Sequence, residues 1–233
     1  MKAIILAAGV GRRLRPHTDY TPKPLLPIGG KSVIGQIVEN LGVLNLQEII
    51  VVLGNRGDEI KKYLKRFNYP ISYVTQRSPL GTAHALSAAS HKINGDVLVS
   101  AGDTIFPKGH YKALCAAFKK WDLDAALSLK VMNKKQMKES STVKLGSGGR
   151  ILKVIEKPAE DEMLSEIACG PMYLFKDVIK DYLTVEKSKR GEYEITDSIQ
   201  AMIEGGRRVR GIVTKKWQHL STEEDFIRLN PAP

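Results

Sequence analysis

Leu6-Ala7-Ala8-Gly9-Val10-Gly11-Arg12-Arg13-Leu14-Arg15-Pro16 is the stretch on which the reading of this chain turns. It grows out of the apolar run Ala3–Ala7, which suits a strand buried on both faces. The run ends in small residues, then glycines, then arginines. Glycine lets backbone N–H groups approach phosphate oxygens with no Cβ in the way, and arginine adds forked donors. A tight turn after a strand, with arginines at the surface, is the competing reading of the segment taken alone.

Two commoner phosphate motifs do not fit. A dinucleotide-binding G-x-G-x-x-G needs glycine where Leu14 stands. Gly30-Lys31-Ser32 has the ending of a P-loop, but the leading glycine of that motif falls at Leu25. Downstream, Thr21-Pro22-Lys23-Pro24-Leu25-Leu26-Pro27-Ile28 holds a lysine between two prolines, which stiffen the backbone and fix where the ammonium points. A lysine held this way beside a phosphate loop suits stabilisation of charge on a transferring phosphoryl group.

Outward from this loop, strand and helix patterns alternate, as in a largely parallel sheet covered by helices on both faces. Ser32 can cap a helix with apolar positions Val33, Ile34, Ile37, Val38 and Leu41, and Glu48–Leu53 reads as a second buried strand. Asp58 starts a helix burying Ile60, Tyr63, Leu64 and Phe67. Ile71–Thr75 is a strand, Thr82–Ser90 a helix and Asp96–Ser100 a strand that runs into Gly102-Asp103. Beyond Asp103 the pattern loosens. Helices are expected over 109–120, 176–183 and 194–204, and strands over 124–130, 141–145, 150–155, 168–175 and 208–214. Gly146 to Gly149 is a turn, and Thr222 with Glu223, Glu224 and Asp225 opens a last helix. With no repeat, no low-complexity tract and no linker, one domain over 1–233 is expected, its 1–105 half binding nucleotide and its 106–233 half the acceptor.

Composition bounds the alternatives. The formal charge of +11 admits nucleic-acid binding, but no interleaving of aromatic and basic residues accompanies it. Residues 1–33 alone carry six basic side chains against one acid, the cluster that a triphosphate and a second phosphate require. No apolar stretch approaches the roughly 20 residues of a membrane span, and the N-terminal run lacks the length and cleavage site of a signal peptide. A cytoplasmic protein with no membrane partner is expected. Cys115 and Cys169 read as reduced, buried thiols.

Gly9-x-Gly11-x-Arg13-Leu14-x-Pro16-x-Thr18 followed by Pro22-Lys23-Pro24-Leu25-x-Pro27 resembles the signature of the sugar-phosphate nucleotidyltransferases. The resemblance runs on through Gln76 and Pro79-Leu80-Gly81-Thr82-Ala83-His84-Ala85, Gly102-Asp103, Glu156-Lys157-Pro158 and Gly191 to Asp197. It implies a Rossmann-like three-layer α/β sandwich around a mostly parallel, mixed central sheet. It also implies an in-line displacement at the α-phosphorus of a nucleoside triphosphate by a sugar phosphate, with Mg²⁺ as cofactor. The attacking oxygen is already an anion, so alignment and charge neutralisation carry the catalysis and no general base is required.

By the same resemblance, Leu6, Ala8 and Gly9 lie along the nucleoside, Gly11 and Arg13 hold the triphosphate, and Lys23 neutralises charge on the α-phosphate. Gln76, Gly81 and Thr82 meet the base. Asp103 holds the metal, and Glu156, Lys157 and Gly170 hold the acceptor. His84 reads as structural rather than catalytic. The chain departs from the pattern at His219, where relatives carry a second metal-binding aspartate; imidazole is a poor partner for Mg²⁺. It departs also at Cys169, where many relatives carry asparagine before the glycine matching Gly170, and at Ser140-Ser141-Thr142, where a strand-start glycine is replaced. Both of these changes lie on the acceptor side.

UTP or dTTP with a hexose 1-phosphate, glucose 1-phosphate foremost, is the expected pair. GTP with mannose 1-phosphate, or CTP with another phosphate, stay open within the class. A non-catalytic nucleotide-sugar-binding regulatory subunit stays open outside it. A homo-oligomer is compatible with the pattern. Nothing resembles the acetyltransferase-type repeats some members carry, so no second activity is expected.

Overall fold

The computed structural model describes residues 1–231, and within them everything but the side chain of Lys135. Its strands are β1 (Lys2–Ala7), β2 (Pro27–Ile28), β3 (Lys31–Ser32), β4 (Ile49–Leu53), β5 (Ile71–Thr75), β6 (Val97–Ala101) and β7 (Thr104–Ile105). They continue with β8 (Ala125–Val131), β9 (Ser141–Leu145), β10 (Ile151–Glu156), β11 (Ile167–Phe175), β12 (Val209–Val213) and β13 (Gln218–His219). The helices are α1 (His17–Tyr20), α2 (Val33–Leu41), α3 (Gly57–Leu64) and α4 (Thr82–Ala88). They continue with α5 (Lys108–Lys120), α6 (Lys134–Met137), α7 (Ile195–Glu204) and α8 (Glu223–Leu229).

Seven strands form one sheet in the order β12-β8-β11-β6-β1-β4-β5. β1 pairs in parallel with β4 and β6, β4 with β5, and β8 with β12, while β11 runs antiparallel to both β6 and β8. Two-residue periodicity sends alternate side chains of β1 to opposite faces. Ala3, Ile5 and Ala7 pack with α2, α3 and α5 through Val38, Leu41, Leu64, Leu114 and Phe118. Ile4 turns to the other face, where Leu86 of α4 and Ile195, Ile199 and Met202 of α7 cover the sheet. Helices therefore lie on both faces of a mostly parallel sheet, the three-layer α/β sandwich expected. Each such aliphatic side chain stabilises the fold by roughly 1.5–3 kcal/mol on full burial.

Local signals explain the element starts. Ser32 Oγ accepts from Gly35 N at 3.1 Å and caps α2. Thr222 Oγ1 accepts from Asp225 N at 3.3 Å, and the Asp225 carboxylate accepts from Thr222 N, a reciprocal cap for α8. The helix read at Asp58 begins one residue earlier, at Gly57, because Arg56 turns the chain with φ 59°. Tyr63 and Phe67 are only half-buried. The segment expected as a helix over 176–183 is instead a 3₁₀ turn, Asp177–Tyr182, the tighter form a short connector tends to take. The small antiparallel pair β7–β13, which sets His219 opposite Thr104, carries no sequence signal of its own.

Tyr111 is fully buried in α5, and its hydroxyl has no hydrogen-bond partner among the described residues. A sealed, unpaired hydroxyl costs about 1–3 kcal/mol. Tyr111→Phe is therefore expected to raise stability by about 1 kcal/mol, or roughly 2–4 °C in melting temperature. A thermal melt in which the variant is no more stable contradicts this.

Candidate active site

The chain builds β1, β4 and β5 outward in one direction and then returns to place β6 on the other side of β1. At such a reversal the connections leave the sheet in opposite directions, and a crevice opens at the carboxyl ends of the strands. A cleft of about 370 Å³ lies there. It is lined by Leu6, Ala8, Gly9 and Gly11 from the end of β1 and its loop, and by Ala101, Gly102 and Asp103 from the end of β6. Gly102 is needed at this junction, since a Cβ there would stand 3.0 Å from the carbonyl oxygen of Leu6.

Gly11 holds φ 72°, and a Cβ on it would lie 2.9 Å from Thr18 Cγ2 and 3.0 Å from Lys23 Cβ. Thr18 Oγ1 donates to Gly11 O at 3.0 Å, so the glycine loop is folded down onto the lysine segment. Lys23 begins a single 3₁₀ turn, Lys23–Leu25, whose Pro24 is buried. The ammonium thus projects from a rigid base into the cleft. Lys23 Nζ lies 2.5 Å from Asp103 Oδ2, with the two side chains 13% and 23% exposed. Asp103 Oδ1 accepts from Thr104 Oγ1 at 3.0 Å, and His219 Nδ1 lies 2.8 Å from that hydroxyl and 3.6 Å from Oδ1.

Burial by itself would push the Asp103 carboxyl up. The ammonium of Lys23, the ring of His219 and the hydrogen bonds outweigh it and hold the group well below the usual carboxylate range. Burial pushes the His219 imidazole down, with Lys23 and Arg13 adding to it and Asp103 opposing. An anionic carboxylate beside an uncharged imidazole is a donor pair for a cation. Among the described residues, no group of three or more His, Cys, Asp or Glu side chains could hold a metal ion by itself.

Gln76 follows β5 and lines the same cleft with Pro79, Gly81 and Thr82. Gly81 takes φ 111°, and a Cβ on it would meet the Tyr193 carbonyl oxygen at 2.4 Å. The Leu80–Ala83 loop is sewn to the start of α7: Tyr193 N donates to Leu80 O at 2.8 Å, Ala83 N to Tyr193 O at 2.9 Å, and Ile195 N to Thr82 Oγ1 at 2.9 Å.

The remaining expected residues lie outside this cleft. Glu156 ends β10 opposite Ser141 of β9, and Lys157 follows at φ 42° with its N–H bonded to Ser140 O at 2.6 Å. Ser141 Oγ in turn accepts from Cys169 N at 2.9 Å. The chain's departures at Ser140–Thr142 and Cys169 are thus one cluster beside Glu156. Thr196 Oγ1 donates to Glu156 Oε2 at 3.3 Å. Burial, with Glu194 adding to it, pushes the Glu156 carboxyl up to about 7 despite Lys157. Gly170 has the ring of Trp217 against it, 2.7 Å from where a Cβ would stand.

Arg13 binds Glu139 Oε2 at 2.6 Å and Ser221 Oγ at 2.5 Å, and its charge bears on His219 beside Asp103. Its neighbour Arg12 lines the cleft, and so does Glu192. Glu192 lies in the Gly191-to-Asp197 stretch noticed in the sequence, but only the fold brings it opposite the glycine loop. Cys115 and Cys169 are both free thiols, Cys169 buried and Cys115 partly so.

Residues 2–232 match the family model for nucleotidyl transferases. A curated Haloferax volcanii relative, the low-salt glycan biosynthesis nucleotidyltransferase Agl11, is 34% identical over 99% of this chain and 65% of its own length. The bifunctional protein GlmU of Methanococcus maripaludis is 33% identical over 99% of this chain and 54% of its own. The chain thus spans between about half and two thirds of the length of these relatives. A glucose-1-phosphate thymidylyltransferase of Streptomyces griseus is 31% identical over 99% of the chain and 65% of its own length. The UTP–glucose-1-phosphate uridylyltransferase AglF of Haloferax volcanii is 30% identical over 94% of the chain and 90% of its own. A solved UDP-glucose pyrophosphorylase in complex with UDP-glucose shares the fold at a TM-score of 0.90, covering 98% of this chain and 96% of its own at 22% identity. Matched almost end to end by the family pattern, the chain belongs to the nucleotidyl transferase family, among its sugar-phosphate nucleotidyltransferases.

Proposed function

We propose that this chain condenses a nucleoside triphosphate, UTP or dTTP foremost, with a hexose 1-phosphate such as glucose 1-phosphate, releasing pyrophosphate with Mg²⁺ as cofactor. The observation that carries this reading is the convergence of Gly9, Gly11, Arg12, Lys23 and Asp103 on one cleft at the switch point of the sheet. The thymidylyl- and uridylyltransferases among the relatives, both named for glucose 1-phosphate, support the choice of base and sugar. In the reaction, an acceptor phosphate oxygen bonds to the α-phosphorus while the bond from that phosphorus to the bridging oxygen breaks, and the electron pair leaves with pyrophosphate.

The chain's own contribution is alignment and charge. In this reading, backbone N–H groups of the Gly9–Gly11 loop and the guanidinium of Arg13 hold the triphosphate, with Arg12 beside them along the cleft. Lys23 faces the negative charge that builds on the α-phosphate and leaving group, and its proline-bounded turn prevents it from following a departing anion. Gln76, Gly81 and Thr82 hold the base, Leu6 and Ala8 the nucleoside. Glu156, Lys157 and Gly170 form the acceptor side, within a 106–233 half assigned to the acceptor, opposite a 1–105 half assigned to the nucleotide.

Asp103 Oδ1 is the available carboxylate oxygen, since Oδ2 faces Lys23. One carboxylate with phosphate oxygens and water suits Mg²⁺, so the residues fit a cation that arrives with the triphosphate. His219 adds a nitrogen donor nearby. When bound, Mg²⁺ supplies charge neutralisation to the phosphate oxygens.

Lys23→Ala and Asp103→Asn are each expected to lower kcat by about 10²–10³, read as pyrophosphate released from a matrix of triphosphates and sugar phosphates. Wild-type turnover that survives either change undoes the assignment of roles.

Glu156 provides a second measurement. Above pH 7 its carboxylate accepts acceptor hydroxyls; below, it is protonated. Acceptor KM is expected to fall as pH rises through about 7, and Glu156→Gln to remove the part of that dependence not due to the acceptor's own phosphate. Because the folded group titrates above its ordinary value of 4.5, the folded state holds an extra proton between pH 4.5 and 7 and loses stability as pH rises through that window. Glu156→Gln should match the wild type at pH 4 and exceed it at pH 8 by on the order of 3 kcal/mol in denaturant unfolding. Parallel stability profiles for the two proteins contradict this.

A further inference from the structure

α1 is a single turn, His17–Tyr20, and one turn of helix has little stability of its own. In a longer helix its last carbonyls would be met by N–H groups four residues on. For Thr18 and Tyr20 those residues are Pro22 and Pro24, which have no N–H. Arg56 meets them instead. Its Nη1 donates to Thr18 O at 3.3 Å and to Asp19 O at 3.1 Å, and its Nη2 to Tyr20 O at 2.5 Å. The remaining protons go to Glu59, from Nε to Oε1 at 2.6 Å and from Nη2 to Oε2 at 3.0 Å. Every donor of the guanidinium is thereby spent inside the protein.

Arg56 stands at φ 59° and ψ 25°, a left-handed conformation that a residue with a Cβ holds only where its surroundings over-determine it. A glycine would take that backbone freely; what it would not supply is the fork of donors. The turn so held joins the two phosphate-facing segments, since the glycine loop precedes α1 and Lys23 follows it. Thr18 Oγ1 donates to Gly11 O at 3.0 Å, so the helix that Arg56 fixes in turn fixes the loop. A cavity of about 210 Å³ lies among Gly9, Val10, Lys23, Asn55 and Arg56. On that side the loop rests on open space rather than on packed side chains, and α1 is its brace.

We propose that Arg56 is a positioning residue for the triphosphate. By closing the carbonyl end of α1 it sets the Gly9–Gly11 loop and Lys23 in the geometry that phosphate binding requires, without touching the nucleotide itself. The inference rests on the reading of the cleft as a triphosphate site and adds to it the group that holds that site in shape.

The experiment compares wild type with Arg56→Gly, Arg56→Lys and Thr18→Val. It reads kcat and KM for triphosphate and for sugar phosphate, calorimetric triphosphate Kd, and amide hydrogen exchange over residues 9–20. In Arg56→Gly, kcat/KM for the best triphosphate is expected to fall by about 10²-fold, shared between a weaker Kd and a lower kcat, with acceptor KM within about threefold. Exchange over residues 9–20 should quicken while that of β4 stays unchanged. Guanidinium chloride at millimolar concentration, far below the denaturing range, should restore part of the loss where sodium chloride does not. Arg56→Lys should recover little, because an ammonium cannot serve three carbonyls and a carboxylate at once. Thr18→Val, which cuts only the contact between α1 and the loop, should show a smaller loss of the same kind.

A triphosphate kcat/KM in Arg56→Gly within about threefold of wild type, or a loss that falls equally on acceptor KM, overturns the proposal. So does recovery no greater with guanidinium than with sodium chloride. Should Arg56→Gly fail to fold, Arg56→Lys decides by the same kinetic and exchange measurements. If the wild type releases no pyrophosphate from any triphosphate, the catalytic reading fails, yet Kd and exchange still decide the role of Arg56. Both unchanged in the variants would end it.

Discussion

Lys23 and Asp103 lie 80 residues apart in the chain and meet at 2.5 Å. Everything else about the site depends on that contact being possible. It exists because β6 returns to lie beside β1, in parallel register from Lys2 opposite Val97 to Leu6 opposite Ala101. Each strand then releases its loop at the same end of the sheet. A charge pair this shielded is a weak source of stability, since desolvation offsets most of the attraction. In the proposed function its weight is catalytic: the carboxylate is held ionised, the ammonium is held still, and both line the one cleft.

The same constraint links the two sides of the cleft. The Leu80–Ala83 loop does not stand alone; it is hydrogen-bonded through its backbone to Tyr193 and, through Thr82, to Ile195. Gly81 has no room for a side chain there. The base side of the cleft is therefore braced by the entry to α7, the helix that also carries Thr196 to Glu156. Residues assigned to the nucleotide and residues assigned to the acceptor share one rigid seam, so a change in the Gly191–Asp197 stretch reaches both.

Much of this was legible beforehand, for physical reasons that can be named. Uninterrupted apolar runs such as Ala3–Ala7 and Ile49–Leu53 have nowhere to go but a strand covered on both faces, and their alternation with amphipathic stretches leaves few architectures. Ser32 and Thr222 announced their helices because a side-chain oxygen must satisfy free N–H groups at a helix start. The glycine loop and the proline-bounded lysine were visible because backbone approach and rigid placement require those residue types. Less was visible wherever the deciding partner is remote. The 3₁₀ turn at Asp177–Tyr182, the place of Glu192 in the cleft, and the pairing of β13 with β7 all follow from contacts that local propensity does not record.

By itself the amino-acid sequence determined the alternating α/β order and the glycine, arginine and lysine pattern of the first loops on which the proposed site is built, because spacing and side-chain type are local properties. Tertiary structure alone decided orientation. It set His84 against Gln76, His219 beside Asp103 and Glu192 against the glycine loop. It also buried Glu156 near Glu194 deeply enough to move its titration to about 7. Those outcomes depend on distances between segments far apart in the chain, and such distances exist only once the sheet has closed its register.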